Sequence, residues 1–317
     1  LHDRLTQQRK YDESSILKRG RQIMFIKIDL LDKTAIMGYR HNMNFYRAPF
    51  TYWQTIIVII VWVQAFFLSG CNGTRFIFSA YKEVISTPAE VGLNYDEVWF
   101  DTKDEVPIHG WLIPGQANRP LVIFFHGNAT NISHFVDMLR YINEMGFSTF
   151  IFDYRGFGKS HGQLICEEDL YIDGRSAIDY LRSKGWQPSQ MIFYGHSMGT
   201  AVAVQMGLEN PPAAVVLESP FTSMSEIAWH TAPVTYALIG WWAIDAEFDN
   251  LNKIQNLSVP VVIFQGAKDK IVSPKMAQRL YNLAREPKAI YLFPEGGHTN
   301  LFQAGGEVYK RAWLNLI

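Results

Sequence analysis

The pentapeptide Gly195-His196-Ser197-Met198-Gly199 is the place where residue type and spacing point to chemistry. It follows the apolar run Met191–Tyr194 and precedes the helix-forming run Thr200–Leu208. A serine in the G-x-S-x-G turn between a strand and a helix is held above the sheet with its hydroxyl exposed. Side chains in place of the two glycines would collide with the neighbouring strand and helix, so the glycines are part of the device. The helix that starts there aims its first amides and its positive dipole end at negative charge developing beside the serine. Ser197 is therefore the candidate nucleophile, for attack at an acyl carbon.

A hydroxyl is a weak nucleophile near neutral pH and needs an adjacent base. With this turn motif the partners follow the serine in the order acid, then histidine. His298, in Phe293-Pro-Glu-Gly-Gly-His298, lies in a glycine-flexible loop after the last strand-like run. Asp269, in Gln265-Gly-Ala-Lys-Asp269, lies in the loop after the run before it, where it would hold the imidazole tautomer and stabilise the imidazolium. The loop His126-Gly127-Asn128-Ala129 follows the run Leu121–Phe125. The amides of Met198 and Asn128 are the expected oxyanion donors, with Gly127 allowing close backbone approach. His126 sits where a hydrogen bond within that loop is expected rather than proton transfer.

The elements that must position these residues are regular from about Tyr95 onward. Tyr95–Asp101 and Ile108–Pro114 read as a hairpin with Lys103-Asp104 in its turn. Leu121–Phe125, Ser148–Asp153, Met191–Tyr194, Ala214–Leu217, Val259–Phe264 and Ala289–Phe293 are short, continuous apolar runs, as expected of strands buried on both faces. Amphipathic stretches near 132–145, 167–184, 198–209, 273–285 and 305–316 alternate with them. The alternation predicts an α/β fold with a mostly parallel, doubly wound, eight-stranded sheet flanked by helices. At 317 residues and 48% hydrophobic the chain can bury one large core. A net charge of −1 without a basic stripe gives no reason to expect nucleic acid. Two cysteines, Cys71 and Cys166, exclude a disulfide framework and a thiolate metal site of ordinary spacing.

His126-Gly-Asn-Ala129, Phe152-Asp-Tyr-Arg-Gly-Phe-Gly-Lys-Ser160, Gly195-His-Ser-Met-Gly199, Gly266-Ala-Lys-Asp269 and Phe293-Pro-Glu-Gly-Gly-His298 occur in one order along the chain. Over about residues 75–317 the sequence resembles the membrane-anchored α/β-hydrolase domain proteins. That group includes depalmitoylase-like thioesterases and bacterial esterase- or lysophospholipase-like members. The resemblance implies the α/β-hydrolase fold, a triad of Ser197, Asp269 and His298, and no cofactor or metal. It implies structural roles for Asp153 and Arg155, and makes Glu218 a second-choice acid behind Asp269. Cys166 has no family counterpart and is expected to be a half-buried thiol at a helix entry. It also implies a short helical lid over about 221–254, where Trp229, Tyr236, Trp241, Trp242 and Phe248 would supply an apolar wall for an acyl chain.

The reaction this constellation would run is hydrolysis of a carboxylic ester or thioester. An aminopeptidase-like activity is the alternative, with Asp245, Glu247 and Asp249 as the acidic cluster it would need. A membrane-tethered interaction protein on a hydrolase scaffold is a third, which would be free to lose triad members; all the required residue types are present.

The N-terminal part reads differently. Residues 1–51 form a polar extension, and because the chain begins with Leu1 the sequence is either a fragment or carries a start placed upstream of Met43. Residues 52–71 read as a signal peptide of lipoprotein type or as a signal anchor. Leu68-Ser69-Gly70-Cys71 resembles the bacterial lipobox, which would make Cys71 the lipidated residue. The apolar run Thr55–Leu68 is shorter than the roughly 20 residues a bilayer-spanning helix needs, although the uncharged stretch Ala48–Thr74 is longer. Arg40 and Arg47 before the span are expected to leave the hydrolase domain, residues 90–317, membrane-associated outside the cytoplasm.

Overall fold

The computed structural model of the chain describes residues 78–237 and 246–316. The extension 1–51, the leader 52–71 with Cys71, and Trp241, Trp242 and Asp245 of the lid lie outside the described residues.

The apolar runs become the strands β1 (Asp96–Asp101), β2 (Pro107–Ile113), β3 (Leu121–Phe125), β4 (Ser148–Phe152), β5 (Met191–His196), β6 (Ala214–Glu218), β7 (Val261–Gly266) and β8 (Lys288–Phe293). They join in one sheet of order β1-β2-β4-β3-β5-β6-β7-β8. The pairings β1–β2 and β2–β4 are antiparallel and the rest parallel. Alternation along each strand divides the core into two layers. Leu121, Ile123 and Phe125 of β3 face α2 (Glu167–Ser183), α3 (Gly199–Glu209) and α6 (Pro274–Leu283). Val122 and Phe124 face α1 (Val136–Glu144) and α7 (Leu301–Leu314). Both layers are needed because a parallel strand here has no solvent face, and truncating a side chain such as Ile123 to alanine would cost about 2–5 kcal/mol.

Two boundaries differ from the sequence reading for identifiable reasons. The strand expected from Val259 starts at Val261, because Pro260 has no N–H for the ladder. The last helix starts at Leu301 rather than near 305; Leu301 is buried in the core, and the helix bends at Gly306 (φ 44°, ψ −123°). The lid region contains α4 (Met224–Thr231), a helical turn at Pro233–Thr235, and α5 (Asn250–Ile254). Among the described residues no helix is long and apolar enough to cross a membrane.

Candidate active site

Ser197 follows the last residue of β5 and lies in the left-handed backbone region, at φ 52°. That conformation is strained for a residue with a Cβ, and the surroundings enforce it. The Ser197 amide donates to the Glu218 carbonyl at 2.9 Å, and its carbonyl accepts from the Thr200 amide at 2.9 Å. A Cβ on Gly199 would lie 1.9 Å from the Phe125 carbonyl oxygen, and one on Gly195 2.4 Å from the Gly199 carbonyl oxygen. The turn therefore packs backbone against backbone, which is the physical content of the glycine spacing.

Three loops at the C-terminal ends of β5, β7 and β8 bring their side chains together. His298 Nε2 lies 3.0 Å from Ser197 Oγ, and His298 Nδ1 lies 2.8 Å from Asp269 Oδ2. With Nδ1–H donating to the carboxylate, Nε2 is free to accept from the serine hydroxyl. Asp269 is anchored in turn: Oδ1 accepts from the amides of Ile271 and Val272, each at 2.9 Å, and Oδ2 also accepts from Gln265 Nε2 at 3.2 Å. Burial pushes the Asp269 carboxyl up, but the His298 hydrogen bond and charge, with the two amides, outweigh it and hold the pKa below its ordinary value.

A cavity of about 570 Å³ opens beside this group and is lined by Gly127, Asn128, Ser197, His298, Phe135 and Phe302 among others. Met198 directly follows Ser197 and sits immediately before α3, and Asn128 shares the cavity wall with Ser197. The Asn128 side chain accepts from the Ser79 amide at 2.9 Å. That bond belongs to a strap the sequence reading did not single out. Asn131 Nδ2 donates to the carbonyls of Tyr81 and Glu83, and Ser133 Oγ accepts from the Ile85 amide at 3.0 Å. Residues 79–85 are thereby fastened to the loop after β3. Sequence offered little signal, since the strap has no periodicity and forms no strand or helix.

Glu218, the second-choice acid, does not meet His298 Nδ1. Its Oε2 accepts from Tyr194 at 2.9 Å and from Tyr309 at 2.5 Å, on the α7 side of the sheet. Burial pushes its pKa up to about 7 against those two hydrogen bonds. Asp153 accepts from the Ile132 amide at 3.0 Å, while Arg155 binds Asp104, Asp169 and Asp173, tying the β1–β2 turn to α2. His126 Nδ1 donates to the Gly127 carbonyl at 2.7 Å inside its own loop, and burial lowers its pKa. Cys166 is half-buried and precedes the first turn of α2.

The described lid residues are divided in role. Phe248 is fully buried and packs edge-on against Phe78, Tyr171 and Phe221, so it fastens the base of the lid. Trp229 is 56% exposed and packs on Tyr236 rather than lining the cavity. Glu247 accepts from Ser225 Oγ at 2.9 Å, and Asp249 caps α5 by accepting from the Asn252 amide at 3.1 Å. Neither acidic residue lines the cavity beside Ser197.

Residues 116–250 match the family model described as "Serine aminopeptidase, S33". The chain is 32% identical over 281 residues to the uncharacterized protein YfhR of Salmonella typhi, covering 82% of this chain and 93% of that protein. It is 29% identical over 250 residues to the α/β hydrolase domain-containing protein WAV2 of Arabidopsis thaliana, covering 73% and 81%. Among solved structures, the Pyrococcus furiosus esterase Pf2001 superposes with a TM-score of 0.62 at 20% identity, over 75% of this chain and 97% of that one. With this extent of shared sequence and this sheet, the chain belongs to the α/β-hydrolase superfamily.

Proposed function

We propose that the protein is a serine hydrolase that cleaves carboxylic esters or thioesters through an acyl-enzyme. The observation that carries this reading is the continuous relay Ser197 Oγ, His298 Nε2, His298 Nδ1, Asp269 Oδ2, with both contacts at hydrogen-bond distance. Ser197 Oγ attacks the acyl carbon as His298 Nε2 takes its proton, and the carbonyl oxygen becomes an oxyanion facing the amides of Met198 and Asn128. Collapse expels the alcohol or thiol with the proton from His298. Water, deprotonated by His298, then attacks the acyl-enzyme, and the acid leaves as Ser197 recovers its proton. Asp269, kept ionised, balances the imidazolium formed in each half.

The test is labelling by a fluorophosphonate together with turnover of p-nitrophenyl esters from acetate to palmitate. Ser197→Ala is expected to abolish labelling and to lower kcat by at least about 10⁴-fold. Labelling that survives the substitution would sink the assignment.

The peptidase reading has one support, the description of the matching family model. An aminoacyl-anilide in the same panel decides between them, and a preference for the anilide over every ester would replace the esterase reading. We also propose that residues 52–71 attach the domain to a membrane with its catalytic face outside the cytoplasm, through a signal anchor or a lipid on Cys71. Supporting this are the uncharged stretch Ala48–Thr74 and the Arg40 and Arg47 before it. Metabolic labelling with a clickable fatty acid, unchanged in Cys71→Ser, would exclude the lipid.

A further inference from the structure

We propose that His196, with Ser219, is a positioning residue for the base. The role rests on the hydrolase reading above and names a further part of the same site. His298 follows Gly296-Gly297, two residues with no side chain to pack, in a loop that a moving base would be expected to deform. Its carbonyl oxygen accepts two hydrogen bonds from outside the loop: His196 Nε2–H at 3.1 Å and Ser219 Oγ–H at 3.0 Å. These donors sit at the tips of adjacent strands, His196 closing β5 immediately before Ser197, and Ser219 immediately after β6. The backbone of the base is thus fastened to the same two strand ends that hold the nucleophile. Through these two bonds the strand ends help to set the 3.0 Å separation of Ser197 and His298.

The chemistry of each donor fits that task. A carbonyl can only accept, so His196 carries its proton on Nε2. Its Nδ1 has no hydrogen-bond partner among the described residues and faces Gly127, where a Cβ would come within 3.1 Å of it. The ring is wedged between Phe135, with centroids 5.7 Å apart, and the His298 ring at 5.3 Å. Burial, aided by the nearby His298, lowers its pKa to about 3, so the donor is neutral throughout the range in which an ester hydrolase works. A neutral donor matters because a positive charge at this spot would oppose the imidazolium that must form on His298. Ser219 holds φ 52°, the second left-handed non-glycine residue at these strand tips besides Ser197, and in that conformation its hydroxyl reaches the His298 carbonyl. A backbone strain retained where it aims one hydroxyl is what a positioning role predicts.

The experiment measures kcat and KM per fluorophosphonate-titrated site for wild type, His196→Leu, His196→Gln and Ser219→Ala, with melting temperatures alongside. His196→Leu removes the N–H at similar volume and is expected to lower kcat about 10–100-fold while KM changes less than about twofold, since a small misplacement of the base acts on the chemical step. His196→Gln places an amide N–H near the former Nε2 and is expected to restore kcat to within about threefold of wild type. Ser219→Ala, the milder change, is expected to lower kcat about three- to tenfold even if His196→Leu proves too unstable to assay. Unchanged kcat in both His196→Leu and Ser219→Ala, or a glutamine variant no better than leucine, overturns the role. If wild type is neither labelled nor active on any ester, it is the hydrolase reading that fails, a result distinguishable from the first.

Discussion

Among the described residues, two clusters combine histidine with aspartate, and their surroundings differ. At the strand tips, His298 joins Asp269 on one side and a serine hydroxyl on the other, beside an open cavity. In the other, His109 of β2 spans Glu97 (2.8 Å) and Asp153 (3.5 Å), and Nε2 of His126, at the start of the loop after β3, lies 4.0 Å from the same Asp153. There the imidazoles and Asp153 are fully buried, with the His126 ring packed against Tyr154 and Phe157. Asp153 spends its Oδ1 on the Ile132 amide, which fixes the loop that carries Asn128 into the short helix preceding α1. The difference teaches that histidine and carboxylate side by side do not define a site. A nucleophile in reach and a void for substrate do.

The same substitution in each cluster tests that contrast. Asp269→Asn is expected to lower kcat by about 10²–10⁴-fold at neutral pH, because the amide favours the wrong imidazole tautomer, with little change in melting temperature. A residual kcat near wild type would break the comparison by showing that Asp269 is dispensable. Asp153→Asn, assayed per labelled site, is expected to leave kcat within a few-fold. It should cost stability of about 1–3 kcal/mol in urea denaturation, through imperfect satisfaction of the Ile132 amide and the imidazoles. A large loss of kcat with intact stability would instead move chemistry to the buried cluster.

The smallest expected effect concerns Glu218, a further buried carboxylate that belongs to neither cluster. Unfolded, it releases its proton near 4.5; folded, it keeps it until about 7. Between those values the native state binds more protons, so this group's contribution to stability is fully present below about 4.5 and is lost as pH rises through 7. Comparing melting temperatures from pH 4 to 8, Glu218→Gln is expected to remove that downward slope while leaving ester turnover within a few-fold. An unchanged slope would show that Glu218 is ionised in the native state throughout, with the tyrosine hydrogen bonds outweighing burial.

Much of the site could be located from local sequence because each part is a short-range device. The elbow needs glycines at 195 and 199 for backbone contact, and the ends of β7 and β8 carry Asp269 and His298 in loops that follow recognisable apolar runs. The parts that local pattern did not expose are contacts between distant segments. Arg155 was legible as a structural residue, but its partners Asp104, Asp169 and Asp173 come from three places. The strap at 79–85 has no period to detect, and its meaning lies in Asn128, Asn131 and Ser133 some fifty residues on. The aromatic lid residues Trp229 and Phe248 look alike as sequence, yet one is exposed and the other buried.

By itself the amino-acid sequence determined the alternation of buried strands and amphipathic helices, the strained turn at Ser197, and the order in which the acid and the base follow it. Those follow from side-chain periodicity and from the steric demands of glycine, which act over a few residues. Only the tertiary structure decided which carboxylate meets His298. Glu218 ends β6 and Asp269 lies in the turn just after β7, and the choice depends on where the backbone carries each side chain. Glu218 leaves toward Tyr194 and Tyr309, while the turn after β7 carries Asp269 to the imidazole. Such a choice is made by packing across the sheet, which no local pattern encodes.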